Sequence, residues 1–326
     1  MYQAELGDDV YGEDPTVNRL EEHAAEMLEK EAGLFITSGT QGNLVAVLTH
    51  CSRGDEIVLG DQSHILHYEV GGASALAGAQ VRAVPSRPNA TLGVDDIKAV
   101  LRDRTDFHNP YTRLICLENT HNRCGGAVLR PEYMHEVREL ADANDIAVHL
   151  DGARLFNAAV ALDLPVAEIV KDVDSVTFCT SKGLAAPVGS VLCGTKDWIN
   201  RARRWRKMMG GGMRQAGVIA AGALYGLEHM VDRLADDHAL AHQLAEGLSA
   251  IPGIAIDPTL VETNIVLFRV TARGKSTLAA IEAFEARGIL VSEFDGRLIR
   301  MVTHYGIEAP HIEAALSAAQ AIFRQS

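Results

Sequence analysis

The chain has 326 residues, 47% of them hydrophobic and 22% charged, and 30 Lys and Arg against 43 Asp and Glu leave a net charge of −13. Two domains of roughly 150 residues each would account for this length. The apolar content excludes a disordered chain, and the acidic balance argues against non-specific nucleic-acid binding and a polybasic membrane anchor. Cys51, Cys116, Cys124, Cys179 and Cys193 form no CxxC or Cys/His zinc spacing. Most lie in or beside apolar runs, where cysteine behaves as a small hydrophobe, so a reducing cytoplasm and no metal site are expected. The N-terminus lacks the basic region and apolar core of a signal peptide, and no apolar run reaches the roughly 18–20 residues of a membrane span.

Asp14-Pro15 opens the first helix, because Asp caps an N-terminus and Pro is tolerated at the first helical position. Val17, Leu20, Ala24, Met27 and Leu28 recur at helical spacing as far as Gly33, a stop signal. Residues 34–36 lead into Ser38-Gly39-Thr40 and an apolar helix around 44–48, and 56–59 and 81–84 read as short strands. From Arg113 the pattern becomes strongly α/β. Residues 114–117 form a strand, Pro131 starts a helix, 147–150 form a strand ending at Asp151-Gly152, 175–179 one ending at Ser181-Lys182-Gly183, and 189–194 close the series. Short apolar strands alternating with helices predict a mostly parallel sheet covered on both faces, with a ligand site past the carboxyl ends of its strands.

Residues 196–214 read as a basic helix, with Arg201, Arg203, Arg204, Arg206 and Lys207, that runs into Gly210-Gly211-Gly212. Residues 215–248 read as one long helix. Beyond Asn264 a strand (265–270), a helix (275–287), strand pieces (289–293 and 298–302) and a final helix predict a small α+β domain. The expected division is a large domain over 1–228 and a small one over 229–326.

Asp151, Lys182 and the Gly39-Thr40 turn are the informative polar residues. A glycine turn at a helix N-terminus suits a phosphate. An Asp and a Lys at one sheet edge are the groups that pair with a pyridinium nitrogen and form a Schiff base in pyridoxal phosphate (PLP) chemistry. Taken alone, Asp-Gly after a strand is ordinarily a turn and Ser-Lys-Gly a solvated loop.

The longer strings GDDVYGEDPTVNRLEE, SGTQGNLVAVLTHCSRGDE, LENTHNRCGG, HLDGARLFNA, SKGLAAPVGS and RWRKMMGGGMRQAG resemble L-threonine aldolases of the β-eliminating-lyase group. The resemblance implies a fold type I, aspartate-aminotransferase-like large domain with a mostly parallel seven-stranded sheet, plus the small α+β domain. It implies a PLP-dependent enzyme that cleaves L-threonine or L-allo-threonine to glycine and acetaldehyde by a retro-aldol step.

By the same resemblance Lys182 is the Schiff-base lysine and Asp151 the partner of the pyridine nitrogen. Arg154, one helical turn from Asp151, contacts cofactor and substrate carboxylate, and Arg300 is the second carboxylate arginine, since a guanidinium binds a carboxylate bidentately. Gly39 and Thr40 cradle the phosphate, and Ser181 adds a hydroxyl. Lys207 and Arg214 match basic residues that reach the phosphate from a neighbouring subunit, which implies a homo-oligomer, a dimer of dimers, with sites at the subunit interface. His64 resembles the histidine that stacks on the ring and His121 a second active-site histidine. Each is a candidate base for the β-hydroxyl proton. Tyr68 stands with them where the substrate methyl and hydroxyl are distinguished.

Family members usually carry a segment resembling D-x-R-S-D-T-x-T ahead of GDDVYG, whose serine helps to bind the substrate carboxylate. This chain reaches GDDVYG at Gly7. The difference bears on carboxylate binding and small-domain packing, and leaves the reading of Lys182 and Asp151 intact. β-Elimination or transamination on the same scaffold, and a non-catalytic scaffold role, are the competing readings.

Overall fold

The computed structural model describes residues 1–323. They fall into two compact units, Met1–Cys124 with Val128–Asp232, and Gly125–Ala127 with the chain from Arg233 onward.

The first unit is built on a seven-stranded sheet: β1 (Ala32–Ile36), β2 (Glu56–Gly60), β3 (Gln80–Val84), β4 (Thr112–Glu118), β5 (Ala147–Asp151), β6 (Ser175–Cys179) and β7 (Ser190–Gly194). The spatial order is β1-β7-β6-β5-β4-β2-β3. The run from β3 to β6 is parallel, and β7 is antiparallel to both β6 and β1. Strands buried on both faces read as nearly continuous apolar runs, which is why 114–117 and 175–179 were legible as strands. Helix Gly39–His50 packs on β5, β6 and β7, with Val45 and Ala46 meeting Leu34, Ile36 and Leu192 in one apolar cluster. Full burial of one such aliphatic side chain is worth about 1.5–3 kcal/mol.

The second unit holds a four-stranded sheet of β8 (Ile254–Ala255), β9 (Ile265–Val270), β10 (Ser292–Phe294) and β11 (Leu298–Val302), ordered β10-β11-β9-β8 and antiparallel throughout. Its core includes Leu244, Leu248, Val266, Phe268, Phe284, Ile299 and Phe323. No helix among the described residues is long and apolar enough to cross a membrane.

Five expectations need correction. The first helix stops at Met27. Gly33 instead lies inside β1, where an added Cβ would sit 2.5 Å from the Glu21 carbonyl oxygen. The basic helix spans Lys196–Met208 and not 196–214, because Gly210 takes a left-handed φ of 78° and turns the chain away. The expected long helix over 215–248 is two helices, Gly217–His229 and Leu234–Ser249. Leu224 and Leu227 bury within the first unit and Leu244 and Leu248 within the second, and burial rather than propensity decides where helix persists. The helix expected over 275–287 covers Thr277–Glu285, where the Ser276 hydroxyl accepts from the Ala279 N–H, and the strand piece expected at 289–293 is β10.

Candidate active site

Alternate residues of a strand share a face, so β5 presents His149 and Asp151 to the helix that covers it. Asp151 is 3% exposed. Its Oδ1 accepts from the Ala153 N–H at 3.1 Å and its Oδ2 from Asn43 Nδ2 at 2.8 Å. Asn43 Nδ2 also donates to Glu69 Oε1 at 2.7 Å, so one amide holds two carboxylates.

His64 begins the short helix His64–His67, and its Nδ1 lies 2.9 Å from the same Glu69 oxygen. Ligating atoms of His64, Glu69 and Asp151 all fall within 4.8 Å of one another. That spacing would suit a cation, but the Asn43 amide hydrogens already point at both carboxylates and would repel one. The His64 backbone N–H donates to Glu118 Oε2 at 2.7 Å. Burial acts to lower the His64 pKa, but the Glu69 hydrogen bond and the charges of Asp151, Glu69 and Glu118 outweigh it, so the value is raised. Burial raises the Glu69 carboxyl, with the Asp151 charge adding to it, against the hydrogen bonds from His64 and Asn43. Because Glu69 accepts, Nδ1 of His64 carries the hydrogen, and Nε2 of the neutral ring keeps its lone pair.

His121 is seated differently. It is 3% exposed, its Nδ1 accepts the Cys124 N–H at 3.3 Å, and its Nε2 is 3.9 Å from Glu118 Oε2. Its one lone pair is therefore already engaged. The Tyr68 ring lies 5.3 Å from that of His64, and its hydroxyl accepts from Arg123 at 2.9 Å.

At the N-terminus of the covering helix, Ser38 is the cap and its hydroxyl accepts from the Gln41 N–H at 3.2 Å. The first-turn N–H groups of Gly39 and Thr40 have no intrahelical acceptor. A Cβ at Gly39 would stand 2.9 Å from Cys179 Sγ, so glycine is required for this close approach to β6. Ser181 and Lys182 lie in the loop from β6 to β7, which Thr180 pins through a 2.9 Å hydrogen bond to the Gly189 carbonyl. Ser181 is exposed and Lys182 half-buried, and no hydrogen-bond or ion-pair partner is formed by the Lys182 amine among the described residues.

Arg154 lies before helix Leu155–Leu162, in the turn that leaves β5, and not one helical turn along from Asp151. Its Nε is buried with no hydrogen-bond partner, and burial lowers its pKa against Cys179, Glu118 and Asp151. Lys207 is exposed in the last turn of its helix. Arg214, also exposed, donates to Asp8 at 2.6 Å and lies 5.8 Å over the Tyr11 ring. Arg300 belongs to the second unit, at mid-strand in β11, in register with Leu267 and Ser292.

In the first unit the fold thus brings together Asp151, His64 and the Glu118 carboxylate, which accepts from the His64 backbone N–H. Sequence reasoning missed Asn43, Glu69, Glu118 and His149. Asn43 stands directly before the apolar run 44–48 of its helix, and His149 alternates with Asp151. Glu69 had no local signal beyond its place next to Tyr68.

The β-eliminating lyase family model matches residues 1–272. A protein of Arabidopsis thaliana called probable low-specificity L-threonine aldolase 2 is 47% identical over 326 residues, covering 99% of this chain and 92% of its own. The low specificity L-threonine aldolase of Escherichia coli K12 is 44% identical, covering 94% of this chain and 89% of its own. The solved Leishmania major threonine aldolase, at 22% identity, superimposes with a TM-score of 0.78 over 100% of this chain and 92% of its own, which establishes the shared fold. The chain therefore belongs to the β-eliminating lyases, among the low-specificity L-threonine aldolases.

Proposed function

We propose that this protein is a PLP-dependent aldolase that cleaves L-threonine and L-allo-threonine to glycine and acetaldehyde. The observation that carries this reading is the Asp151 carboxylate. It is buried at the end of a central parallel strand, held by two N–H donors, and has His64 beside it. A helix N-terminus opened by a glycine, a buried arginine nitrogen without a partner and a half-buried lysine amine without a partner fit the phosphate, the carboxylate and the aldehyde of such a system.

When bound, PLP supplies the electron sink that accepts the pair released from the Cα–Cβ bond. The chain's own residues do the rest. Lys182 would hold the cofactor covalently, and Asp151 would be the carboxylate that supports its ring nitrogen. Gly39, Thr40 and Ser181 bind its phosphate. Arg154 would clamp the substrate carboxylate and so set which bond to Cα breaks. His64, held by Glu69, takes the β-hydroxyl proton on Nε2. His121 shapes the wall, because its lone pair is engaged by Cys124. Tyr68, tied to Arg123, faces the substituent that distinguishes threonine from allo-threonine.

Lys207 and Arg214 are exposed cations that we assign to a neighbouring subunit's phosphate, in a homodimer that pairs into a tetramer. The free thiols suit a reducing compartment, the cytoplasm.

Borohydride reduction of PLP-loaded protein followed by peptide mass spectrometry tests the reading: a pyridoxyl group is expected on Lys182, and its absence there rejects the assignment. Product analysis separates glycine plus aldehyde from the keto acid of β-elimination or transamination.

A further inference from the structure

Behind Asp151 a line of buried polar groups runs between the covering helix and the sheet. Asn43 Oδ1 is 3.1 Å from His149 Nε2, His149 Nδ1 is 2.9 Å from Ser175 Oγ, and Ser175 Oγ is 2.8 Å from His50 Nε2. Asn43 and His50 are seven residues, about 10.5 Å, apart on one helix. His149 and Ser175 stand opposite each other on paired β5 and β6. Asn43 is 1% exposed, and His149 and Ser175 are 0%.

Only one arrangement of hydrogens satisfies this line. Ionised Glu69 and Asp151 can only accept, so the NH2 side of the Asn43 amide must face them and its oxygen must face His149. His149 then carries its hydrogen on Nε2 and accepts on Nδ1 from the Ser175 hydroxyl. That hydroxyl has a single hydrogen, so His50 donates to it from Nε2. Every donor in the line points towards Asp151. Burial keeps both rings neutral, lowering His50 to about 3 and His149 to about 4. Aligned hydrogen bonds polarise one another in a low-dielectric interior.

We propose that His149, backed by Ser175 and His50, is a positioning residue: it locks the Asn43 amide in the orientation that holds Asp151 and Glu69, and so sets both the acid under the ring nitrogen and the partner of His64. With His149 unable to donate, Asn43 Oδ1 is buried without its partner and the amide is no longer anchored, so its two hydrogen bonds to Asp151 and Glu69 lengthen and weaken. The inference deepens the PLP reading and rests on it for its catalytic consequence, while the amide lock itself is a property of the protein without cofactor.

The test compares the parent with His149→Leu, which removes both ring nitrogens at similar volume, and His149→Gln, whose amide offers a donor and an acceptor in their place. Ser175→Ala, a smaller change, cuts the line one link further back. In cofactor-free protein, 15N NMR is expected to show His149 with its hydrogen on Nε2 and the Asn43 amide protons shifted downfield and slow to exchange. Those amide signals should move upfield in His149→Leu and persist in His149→Gln. In PLP-loaded protein, His149→Leu should lower kcat about tenfold with KM changed less than about threefold, since the Asn43 hydrogen bond to charged Asp151 is weakened. It should also move the 15N resonance of the cofactor's ring nitrogen, and His149→Gln should restore both. Ser175→Ala should act in the same direction, more weakly. An Nδ1–H tautomer for His149, or Asn43 signals identical in the parent and His149→Leu, would overturn the proposal. So would kcat and ring-nitrogen resonances identical in the two. Parent protein that takes no PLP onto Lys182 would defeat the functional reading instead, and the cofactor-free spectra would still decide the lock.

Discussion

The floor of the site and the basic stretch from Lys196 to Gly217 both carry polar residues, and the fold treats most of them in opposite ways. On the floor Asp151, Asn43, Glu69 and His149 are buried and each has a defined hydrogen-bond partner. In the basic stretch Arg206 is 2% exposed and paired with Asp9, and it donates to the Phe35 carbonyl, which ties the N-terminal segment to β1. Its neighbours Lys207 and Arg214 remain at the surface. One chain completes the floor by itself, because low dielectric demands that every buried polar group be satisfied. Exposed cations face no such demand and are available to an anion brought by another molecule.

Lys182→Ala gives the sharpest break of the floor, as it leaves the hydrogen-bonded residues in place and deletes the covalent anchor. Turnover of threonine should fall by at least about a thousandfold, and the visible absorbance of lysine-bound PLP should disappear. Next comes Glu69→Gln, which replaces the charged acceptor that raises His64 with a neutral amide. The base must be neutral to act, so kcat/KM climbs as pH rises through its pKa, which in the parent is above the ordinary 6.5. In Glu69→Gln that limb should move to lower pH and the plateau should fall by about a hundredfold. An unmoved limb in the pH profile would show that His64 is not the base.

A third test separates buried from exposed histidines by stability. His149 titrates near 4 in the folded chain against an ordinary 6.5, so between those values the unfolded chain binds a proton that the folded one does not. Stability therefore falls as pH falls through this window, by on the order of 2 kcal/mol from about pH 7 to about pH 5 for this group. Thermal unfolding of His149→Gln should show a shallower pH dependence than the parent. The mildest effect belongs to the basic stretch: Lys207→Ala or Arg214→Ala should weaken PLP binding about tenfold, the scale of one exposed charged contact to phosphate in a partly shielded site. Sedimentation of a PLP-loaded, fully active monomer would remove these residues from the site altogether.

Strands and their order of appearance were legible because a buried parallel strand is an apolar run with a polar residue at its carboxyl end, as in 147–151 and 175–182. The helix breaks at Gly210 and between His229 and Leu234 were misjudged because the local pattern does not say which core each turn will bury into. Lys182, Asp151 and Arg154 were offered as candidates by motifs. The roles of the two histidines could not be read in that way, since they depend on which ring nitrogen is already engaged.

The sequence alone determined the family and the sheet, and it offered Lys182 and Asp151 as candidates for the site, because these depend on residue type and on spacing along one strand or turn. Tertiary structure alone decided that Asn43 bridges Asp151 and Glu69, that His149 stands behind it, and that Cys124 occupies the lone pair of His121. The reason is geometric: hydrogen-bond partners 106 and 108 residues apart are set by how a helix settles on a sheet, and no local pattern encodes that distance.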